Sequence, residues 1–421
     1  MCLLTKGYVF LDIPFQALYK GEQFMKKIII CWLIILVCII SACTSSSEKE
    51  TKTVQNNEKI FFEETVNIKG LRGFSWKDFN IETEDPVFMS GYHEIAVSEK
   101  GYYFIYSDIL YFKDKNSGLC IPVCAKPECS HEDKDLDSCN AFFNSYTFYP
   151  HLGLFYYNSN LYMLGNNGKG ENGQGEGLYL YKISMDGTKR EMLYSLGEFV
   201  SSLEGLNLRF FMHRGKGYLS YSEETRATLL SFEIDSENPE MKTVDILEGK
   251  APEFYRLSGY GDYIIYQYFF YKDNNLEKFN GGIKVYDGKN QQVLIDNAIK
   301  TYCISEDKVY YETSSGIKTY DLKTKKTSDF KTDKNAYAIN YDGQYFYTYD
   351  NDLDSDYVIY VYNKSGRLID TIKTFKGCTD IAFGDNKFFF AGNKYFEKSE
   401  IGTGNVEWKD IAEKFYNIYS E

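Results

Sequence analysis

A turn followed by an aromatic strand recurs along most of the chain. The turns are rich in Gly, Asp and Asn, and each leads into a run such as residues 102–104 or 345–347, dominated by Tyr and Phe. Such side chains favour pleated, half-buried strands. The seven turns end at Gly101, Asn160, Gly217, Asp262, Lys308, Gln344 and Lys387. Their spacing, 36 to 59 residues with a mean of about 48, is typical of propeller or solenoid repeats.

A second strand follows the aromatic strand in most units. Apolar and polar residues alternate in residues 283–287, 317–321 and 359–363, and more loosely in 178–181. This period of two predicts a strand with one buried face, and the Asp- or Asn-containing ends predict hairpin turns. A shorter apolar run, such as residues 292–295, completes four strands per unit.

These repeats predict an all-β fold, a β-propeller with seven four-stranded blades. Four-stranded units without intervening helices are the pattern of a propeller. Six or eight blades also fit the spacing, and a pair of β-sandwiches or a β-solenoid is the alternative architecture. The tail at residues 410–419 fits either a short helix or a closing strand.

The N-terminal region carries an export signal. A basic segment precedes the apolar run 28–40, whose 13 residues suit a signal-peptide core, whereas a spanning helix needs about 20. Small residues then precede Cys43, and a polar tether follows it. This order resembles the lipobox of bacterial lipoproteins, although Ile40 stands where leucine is commoner. The resemblance implies that the Cys43 thiol carries a diacylglycerol and becomes the mature N-terminus. An ordinary signal peptide or a short anchor helix is the alternative.

The sequence predicts four segments. They are an extension before the natural start (1–24), a lipoprotein signal peptide (25–42), a lipidated tether and spacer (43–90), and a propeller (91–421) with a Cys/His-rich insert at 120–139. Acyl chains on the mature N-terminus would hold the protein on the outer, extracytoplasmic face of the cell membrane.

Composition narrows the range of partners. The chain has 47 basic and 60 acidic residues, a net charge of −13, and removing the +2 of residues 1–42 leaves −15. This balance argues against a nucleic-acid partner, since phosphate binding needs a positive surface. Aromatic residues make up 17% of the chain, with 39 Tyr and 31 Phe, and we expect most of them in blade packing.

Three cysteines and a histidine in the insert have the chemistry of a metal site. Cys124, Cys129, His131 and Cys139 are separated by four, one and seven residues. Thiolates and an imidazole on a tight loop are ligands of tetrahedral zinc, so this set predicts a structural zinc site. A complete four-ligand set leaves no open position for a substrate.

Oxidation is the alternative chemistry for the insert. Thiols outside the membrane tend to form disulfides, and Cys120, Cys124, Cys129 and Cys139 allow three pairings that sequence does not distinguish. His131 favours metal, because a disulfide has no use for it. Cys120 fits as an alternative ligand or a disulfide partner, and free thiols are a third state.

Other candidate sites are weaker. Carboxylates alternate in residues 350–356, but this loop lacks the glycine and distal glutamate of an EF-hand, which favours a solvated hairpin. Cys303 and Cys378 are expected to be buried thiols. No Gly-x-Ser-x-Gly or His-Glu-x-x-His motif is present, and we assign no catalytic residue. Three histidines near predicted strand starts are expected to be structural: His93, His151 and His213.

The repeats and the insert together resemble the tyrosine-rich propellers common among lipoproteins of Gram-positive bacteria, many of uncharacterised function. Those proteins carry similar Cys-x-Lys-Pro-x-Cys-x-His inserts, matched here by residues 124–131. The resemblance covers most of residues 92–411 and implies a fold far more than an activity.

Two functions therefore compete. In the first, the propeller is a non-catalytic scaffold that binds a protein or carbohydrate ligand, or joins an envelope complex. In the second, it is a secreted hydrolase or lyase acting on polysaccharides, with carboxylates at the mouth of the channel. A cluster of two or three carboxylates with a histidine or arginine in one funnel would favour the enzyme.

Overall fold

The seven-bladed, all-β propeller predicted from the repeats is confirmed. Seven four-stranded antiparallel sheets are present, each built from one contiguous segment with its strands in chain order. The computed structural model describes residues 95–131, 139–143, 148–149, 152–167, 177–197, 207–271, 279–296, 299–305, 307–333, 337–349, 358–375, 382–385, 387–392 and 394–411.

Each blade is a meander of four strands, numbered in chain order. Blade 1 comprises β1 Ile95–Val97, β2 Gly101–Tyr106, β3 Ile109–Asp114 and β4 Cys120–Pro122. Blade 2 comprises β5 Leu154–Tyr157, β6 Asn160–Gly165, β7 Tyr179–Ser184 and β8 Arg190–Ser195. Blade 3 comprises β9 Arg209–His213, β10 Lys216–Ser222, β11 Arg226–Glu233 and β12 Lys242–Glu248. Blade 4 comprises β13 Lys250–Tyr260, β14 Tyr263–Tyr271, β15 Phe279–Tyr286 and β16 Gln291–Asp296.

The remaining blades follow the same plan. Blade 5 comprises β17 Tyr302–Ser305, β18 Lys308–Thr313, β19 Gly316–Asp321 and β20 Thr327–Asp329. Blade 6 comprises β21 Tyr337–Tyr341, β22 Phe346–Tyr349, β23 Val358–Tyr362 and β24 Leu368–Lys373. Blade 7 comprises β25 Ala382–Gly384, β26 Phe388–Ala391, β27 Lys394–Glu397 and β28 Lys409–Asp410, with a 3₁₀ turn at Lys398–Glu400 before β28. The start of the C-terminal tail is thus a closing strand.

The aromatic strand of each repeat is the second strand of its blade, not the first. The turn before it connects the first and second strands into a hairpin. In blade 1, the Ser98 N–H donates to the Gly101 carbonyl at 2.8 Å in this turn. First strands such as β1 and β25 have only three residues and lack an aromatic run. A repeat counted from the turn therefore begins one strand late.

Burial distinguishes the centre of the propeller from its rim. First strands of neighbouring blades contact one another, as β1 does with β5 and β17 does with β21. Fourth strands are the most exposed, and every residue of β20 is exposed. The first strands therefore line the centre, and the fourth strands form the outer edge.

Side-chain packing closes the ring. Core clusters link consecutive blades around the circle, and one of them joins Tyr347 of blade 6 and Phe389 of blade 7 to blade 1. In this cluster the Tyr102 ring meets Phe388 and Phe390 edge-on, with ring centroids 5.6 and 4.9 Å apart. Among the described residues, no strand is exchanged between the first and last blades.

Several predicted features lie outside the described residues. They are residues 1–24, the signal peptide 25–42, Cys43, the tether 43–90, His93, His151, the acidic loop 350–356 and Cys378. In the described part of the chain, no helix has the length and apolarity needed to cross a bilayer.

Candidate metal centre and binding clefts

The insert between blades 1 and 2 brings four potential metal ligands together. The ligand atoms of Cys124, Cys129, His131 and Cys139 all lie within 4.8 Å of one another. His131 Nδ1 is 3.3 Å from Cys129 Sγ and 3.4 Å from Cys139 Sγ. A tetrahedron with Zn–S of about 2.3 Å and Zn–N of about 2.0–2.1 Å has N···S edges of about 3.5 Å. The donor chemistry and the spacing therefore both fit a metal ion such as zinc.

Backbone hydrogen bonds shape the loop that carries these ligands. The Val123 N–H donates to the Leu110 carbonyl at 2.8 Å, which ties the start of the loop to blade 1. The Cys129 N–H donates to the Lys126 carbonyl at 3.2 Å and closes a turn between the first two ligands. His131 has φ of 59°, a left-handed conformation that non-glycine residues seldom adopt outside special sites.

Blade 2 contacts the insert and the residues that follow it. The side-chain amide of Asn140 donates to the Gly187 carbonyl at 2.8 Å, and the Arg190 guanidinium donates to the Phe142 carbonyl. A Cβ atom on Gly187 would lie 2.4 Å from the Val123 carbonyl oxygen, so the β7–β8 turn presses directly on the insert. The candidate metal centre thus joins blade 1 to blade 2.

Two thiols of the centre have different surroundings. Burial acts to raise the pKa of Cys124, but hydrogen bonds from the backbone at Lys126 and Asn140, and from neighbouring thiols, outweigh it and lower this pKa. Burial raises the pKa of Cys139 to about 12. Backbone donors of this kind also support metal-bound sulfur, and a cation would favour the ionised form of every thiol in the set.

Cys120 stands apart from the set. It is buried in β4, whereas the next residue, Ile121, is 43% exposed, so the pleat turns Cys120 into the core shared with blade 7. Burial raises its pKa to about 11. Cys303 is buried in β17, where a buried thiol was predicted. The described cysteines are all free thiols, namely Cys120, Cys124, Cys129, Cys139 and Cys303.

A cleft of about 730 Å³, the first cleft, opens beside the metal centre between blades 1 and 2. Its apolar part includes Tyr103, Phe112 and Tyr156, and Val123 and Cys124 form part of its wall. Its volume is in the range of small-molecule binding sites. Polar groups reach it from turns of both blades, namely Ser98, Glu99, Lys100, Ser159, Ser184 and Asp186.

A second cleft, of about 310 Å³, lies between blades 7 and 1. Aromatic residues line it together with six charged side chains, which are Lys113, Asp114, Lys115, Lys387, Glu397 and Lys409. These residues come from opposite ends of the propeller sequence, so no motif or spacing could have predicted that they meet.

His213 has a structural position, as the sequence suggested. Its Nε2 lies 2.6 Å from the Gly261 carbonyl oxygen, to which it donates. Burial lowers its pKa to about 4, so the ring is neutral at pH 7.

No protein-family model matches the chain, and no curated protein matches it. Three similar solved structures each share 11% sequence identity with this chain. A prolyl endopeptidase structure has a TM-score of 0.49 and covers 78% of this chain, which spans about half (51%) of that protein. A polysaccharide lyase has a TM-score of 0.44, covering 76% of this chain and 89% of its own. An oligogalacturonate lyase in complex with manganese has a TM-score of 0.43, with 78% and 89% covered. None of these similarities carries an activity to this chain.

Proposed function

We propose that this protein is a lipid-anchored, extracytoplasmic binding protein whose ligand cleft is shaped by a structural zinc centre. The observation that carries the proposal is that Cys124 belongs to both sites: its thiol is one of the four potential metal ligands, and the residue also lines the first cleft. A metal with four protein ligands has no position for a substrate. The metal would therefore hold the wall of the cleft in place, and the aromatic and hydroxyl groups would contact the ligand.

Metal analysis and intact mass of the protein, purified without reductant, test the zinc centre. We expect one zinc per chain and no mass deficit in the wild type. The Cys129→Ser variant should lose the metal, because three ligands bind structural zinc far more weakly than four. The matched control is Cys303→Ser, which alters a buried thiol in blade 5 and should keep the metal. A mass lower by two or four hydrogens without metal would instead establish disulfides.

Membrane attachment depends on Cys43 in this proposal. The order of basic segment, short apolar run, small residues and cysteine supports it. Two acyl chains give stable attachment where one is marginal. We expect cells to incorporate a labelled fatty acid into the wild type but not into Cys43→Ser, which should leave the membrane fraction. Unchanged labelling of the variant would contradict the assignment.

A polysaccharide hydrolase or lyase is the second candidate, because Glu99 and Asp186 both line the first cleft. Glycoside hydrolysis needs a protonated carboxylic acid beside a carboxylate. The backbone N–H and hydroxyl of Thr188 donate to Asp186 and lower its pKa, which suits the carboxylate of such a pair. New reducing or unsaturated ends released from a polysaccharide, and lost in Glu99→Gln, would favour this enzyme over the binding protein.

A further inference from the structure

Basic side chains are concentrated in the second cleft although the chain as a whole is acidic. Four lysines and two carboxylates line it, against 47 basic and 60 acidic residues in the sequence. Lys113 is only 4% exposed, lies over the Tyr395 ring and donates to the Ile411 carbonyl at 3.2 Å. The residues that line the cleft therefore carry a formal net charge of 4 − 2 = +2, whereas the chain as a whole carries −13.

The two carboxylates of the second cleft are engaged within the protein. Asp114 accepts hydrogen bonds from the N–H groups of Asn116 and Ser117 at 2.9 and 2.7 Å. Glu397 pairs with Lys409 at 3.2 Å, and the Lys409 ammonium also lies 3.4 Å from Glu400 Oε1, so the charge of this lysine is balanced within the protein. These contacts turn the acidic groups toward their own turns and partners, which reduces their repulsion of an incoming anion.

Lys387 is the lysine best placed to meet a ligand. It is exposed, at the edge of the cleft, and its ammonium donates to the Lys115 carbonyl at 2.8 Å. The ammonium also lies over the Phe388 ring, 4.9 Å from its centroid. An ammonium has three donors, so it can still direct one at an oxyanion. Lys115 is paired with Asp385 at 3.5 Å and has a structural task as well.

The two clefts lie on opposite faces of the blade 1 sheet, since Tyr103 lines the first cleft and its strand neighbour Tyr102 lines the second, and both reach the turns at one end of that sheet. We call the two clefts and the β1–β2 turn between them the blade 1 groove. The Lys115 ammonium donates to the Ser98 carbonyl at 2.9 Å, and its N–H donates to the Lys100 carbonyl at 2.9 Å. Ser98 and Lys100 line the first cleft, whereas Lys115 lines the second. A ligand that crosses this turn would have aromatic and hydroxyl contacts at one end and lysines at the other.

The groove suits a glycan better than a peptide strand. Its exposed strand edge is β4, which ends in Pro122, a residue that offers no N–H for strand addition. Serine hydroxyls and tyrosine rings suit the hydroxyl-rich faces of sugars. We propose that the blade 1 groove binds an anionic oligosaccharide, with a carboxylate or phosphate of the ligand in the second cleft. This inference rests on the proposed binding function and specifies its ligand class.

Calorimetric titration of the full chain in detergent tests the proposal with three probes. They are a trimer of mannuronate, the matching neutral trimer of mannose, and a trimer of glycerol phosphate. We expect an anionic trimer to bind at least about tenfold more tightly than the neutral one, the effect of one charge-assisted hydrogen bond. The anionic trimer that binds more tightly shows whether the cleft prefers a carboxylate or a phosphate. This preference should shrink when salt is raised from about 0.05 M to about 0.5 M.

Matched variants locate the anion. Lys387→Gln should lose about tenfold in affinity for the preferred anionic trimer and little for the neutral trimer. The control Lys394→Gln makes the same charge change in blade 7, outside the second cleft, where this lysine lies over Phe375, and should bind like the wild type. Equal binding of charged and neutral trimers, or equal loss in both variants, would overturn the anion site and leave the binding function. If no trimer binds, both the anion site and the proposed carbohydrate-binding function are overturned.

Discussion

The hydroxyl of Tyr102 in blade 1 donates a hydrogen bond to the carboxylate of Asp385 in blade 7, across 283 positions of sequence. Both residues are buried, and the N–H groups of Lys387 and Phe388 each donate to the other carboxylate oxygen at 2.7 Å. Burial, reinforced by the Asp385 charge, raises the pKa of Tyr102 far above its usual value, so the phenol remains a donor. This bond joins the two ends of the propeller where the ring closes.

Removing the Tyr102 hydroxyl should weaken ring closure. We expect Tyr102→Phe to lower the free energy of unfolding by about 1.5–3 kcal/mol, because a buried carboxylate oxygen loses its short hydrogen bond and keeps the Lys115 ammonium at 3.5 Å. The control is Tyr320→Phe, at a half-buried tyrosine with no hydroxyl hydrogen bond among the described residues, and should change stability by less than about 0.5 kcal/mol. Denaturant unfolding of both variants measures the difference, and equal losses would argue against the bond.

Lys398 should stabilise the contact between blades 6 and 7, as Tyr102 stabilises the contact between blades 7 and 1. Its ammonium lies 2.7 Å from Asp342 Oδ2 and donates to the Asp385 carbonyl at 2.7 Å, with side-chain exposures of 3% for Lys398 and 0% for Asp342. Lys398→Met should destabilise the protein by about 3–5 kcal/mol, because it removes the ammonium that balances the charge of a buried carboxylate. Adding Asp342→Asn should recover part of this loss. Lys242→Met, which breaks an exposed pair with Glu240, should cost less than about 1 kcal/mol. A double variant less stable than Lys398→Met would contradict this account.

Gly187 offers a way to loosen the metal centre without touching a ligand. Gly187→Ala introduces a left-handed alanine, at φ of 70°, whose Cβ would collide with the Val123 carbonyl. The matched control is Gly288→Ala in the β15–β16 turn of blade 4, which has φ of 93° and open space around its Cβ. Both should pay the backbone strain of about 1–2 kcal/mol. Only Gly187→Ala should release metal at a lower chelator concentration, measured after equilibrium dialysis. Equal metal retention would show that the β7–β8 turn does not support the centre.

His213 should make the free energy of unfolding depend on pH between about 4 and 6.5. Its pKa is lowered from a usual 6.5 to about 4, first by burial and then by the Arg214 charge, while the Gly261 carbonyl and Asp262 act in the opposite direction. The unfolded protein therefore binds more protons between these pH values. The stabilisation is complete above about pH 6.5 and is lost progressively as the pH falls toward 4. The difference in unfolding free energy between wild type and His213→Gln should grow with pH across this window, and a constant difference would contradict the assignment.

Much of the fold follows from local sequence. A blade is a meander whose strands are neighbours in the chain, so turn residues and period-two alternation identify it without knowledge of distant contacts. The first strands of blades 1 and 7 escaped this pattern because β1 and β25 are short and lack aromatic runs. The Cys₃His set is also local, since its members lie within 16 residues, and the structure brings these four ligand atoms together.

The sequence by itself therefore determined the propeller, its seven blades and the residues of the candidate metal centre. Only the tertiary structure decided that Cys120 faces the core, that Lys115 and Lys387 share a cleft, and that Tyr102 reaches Asp385. The physical reason is that these relationships depend on how strands pleat and how the ring closes. Closure places residues from the two ends of the propeller segment side by side, and no local preference of either segment encodes its partner.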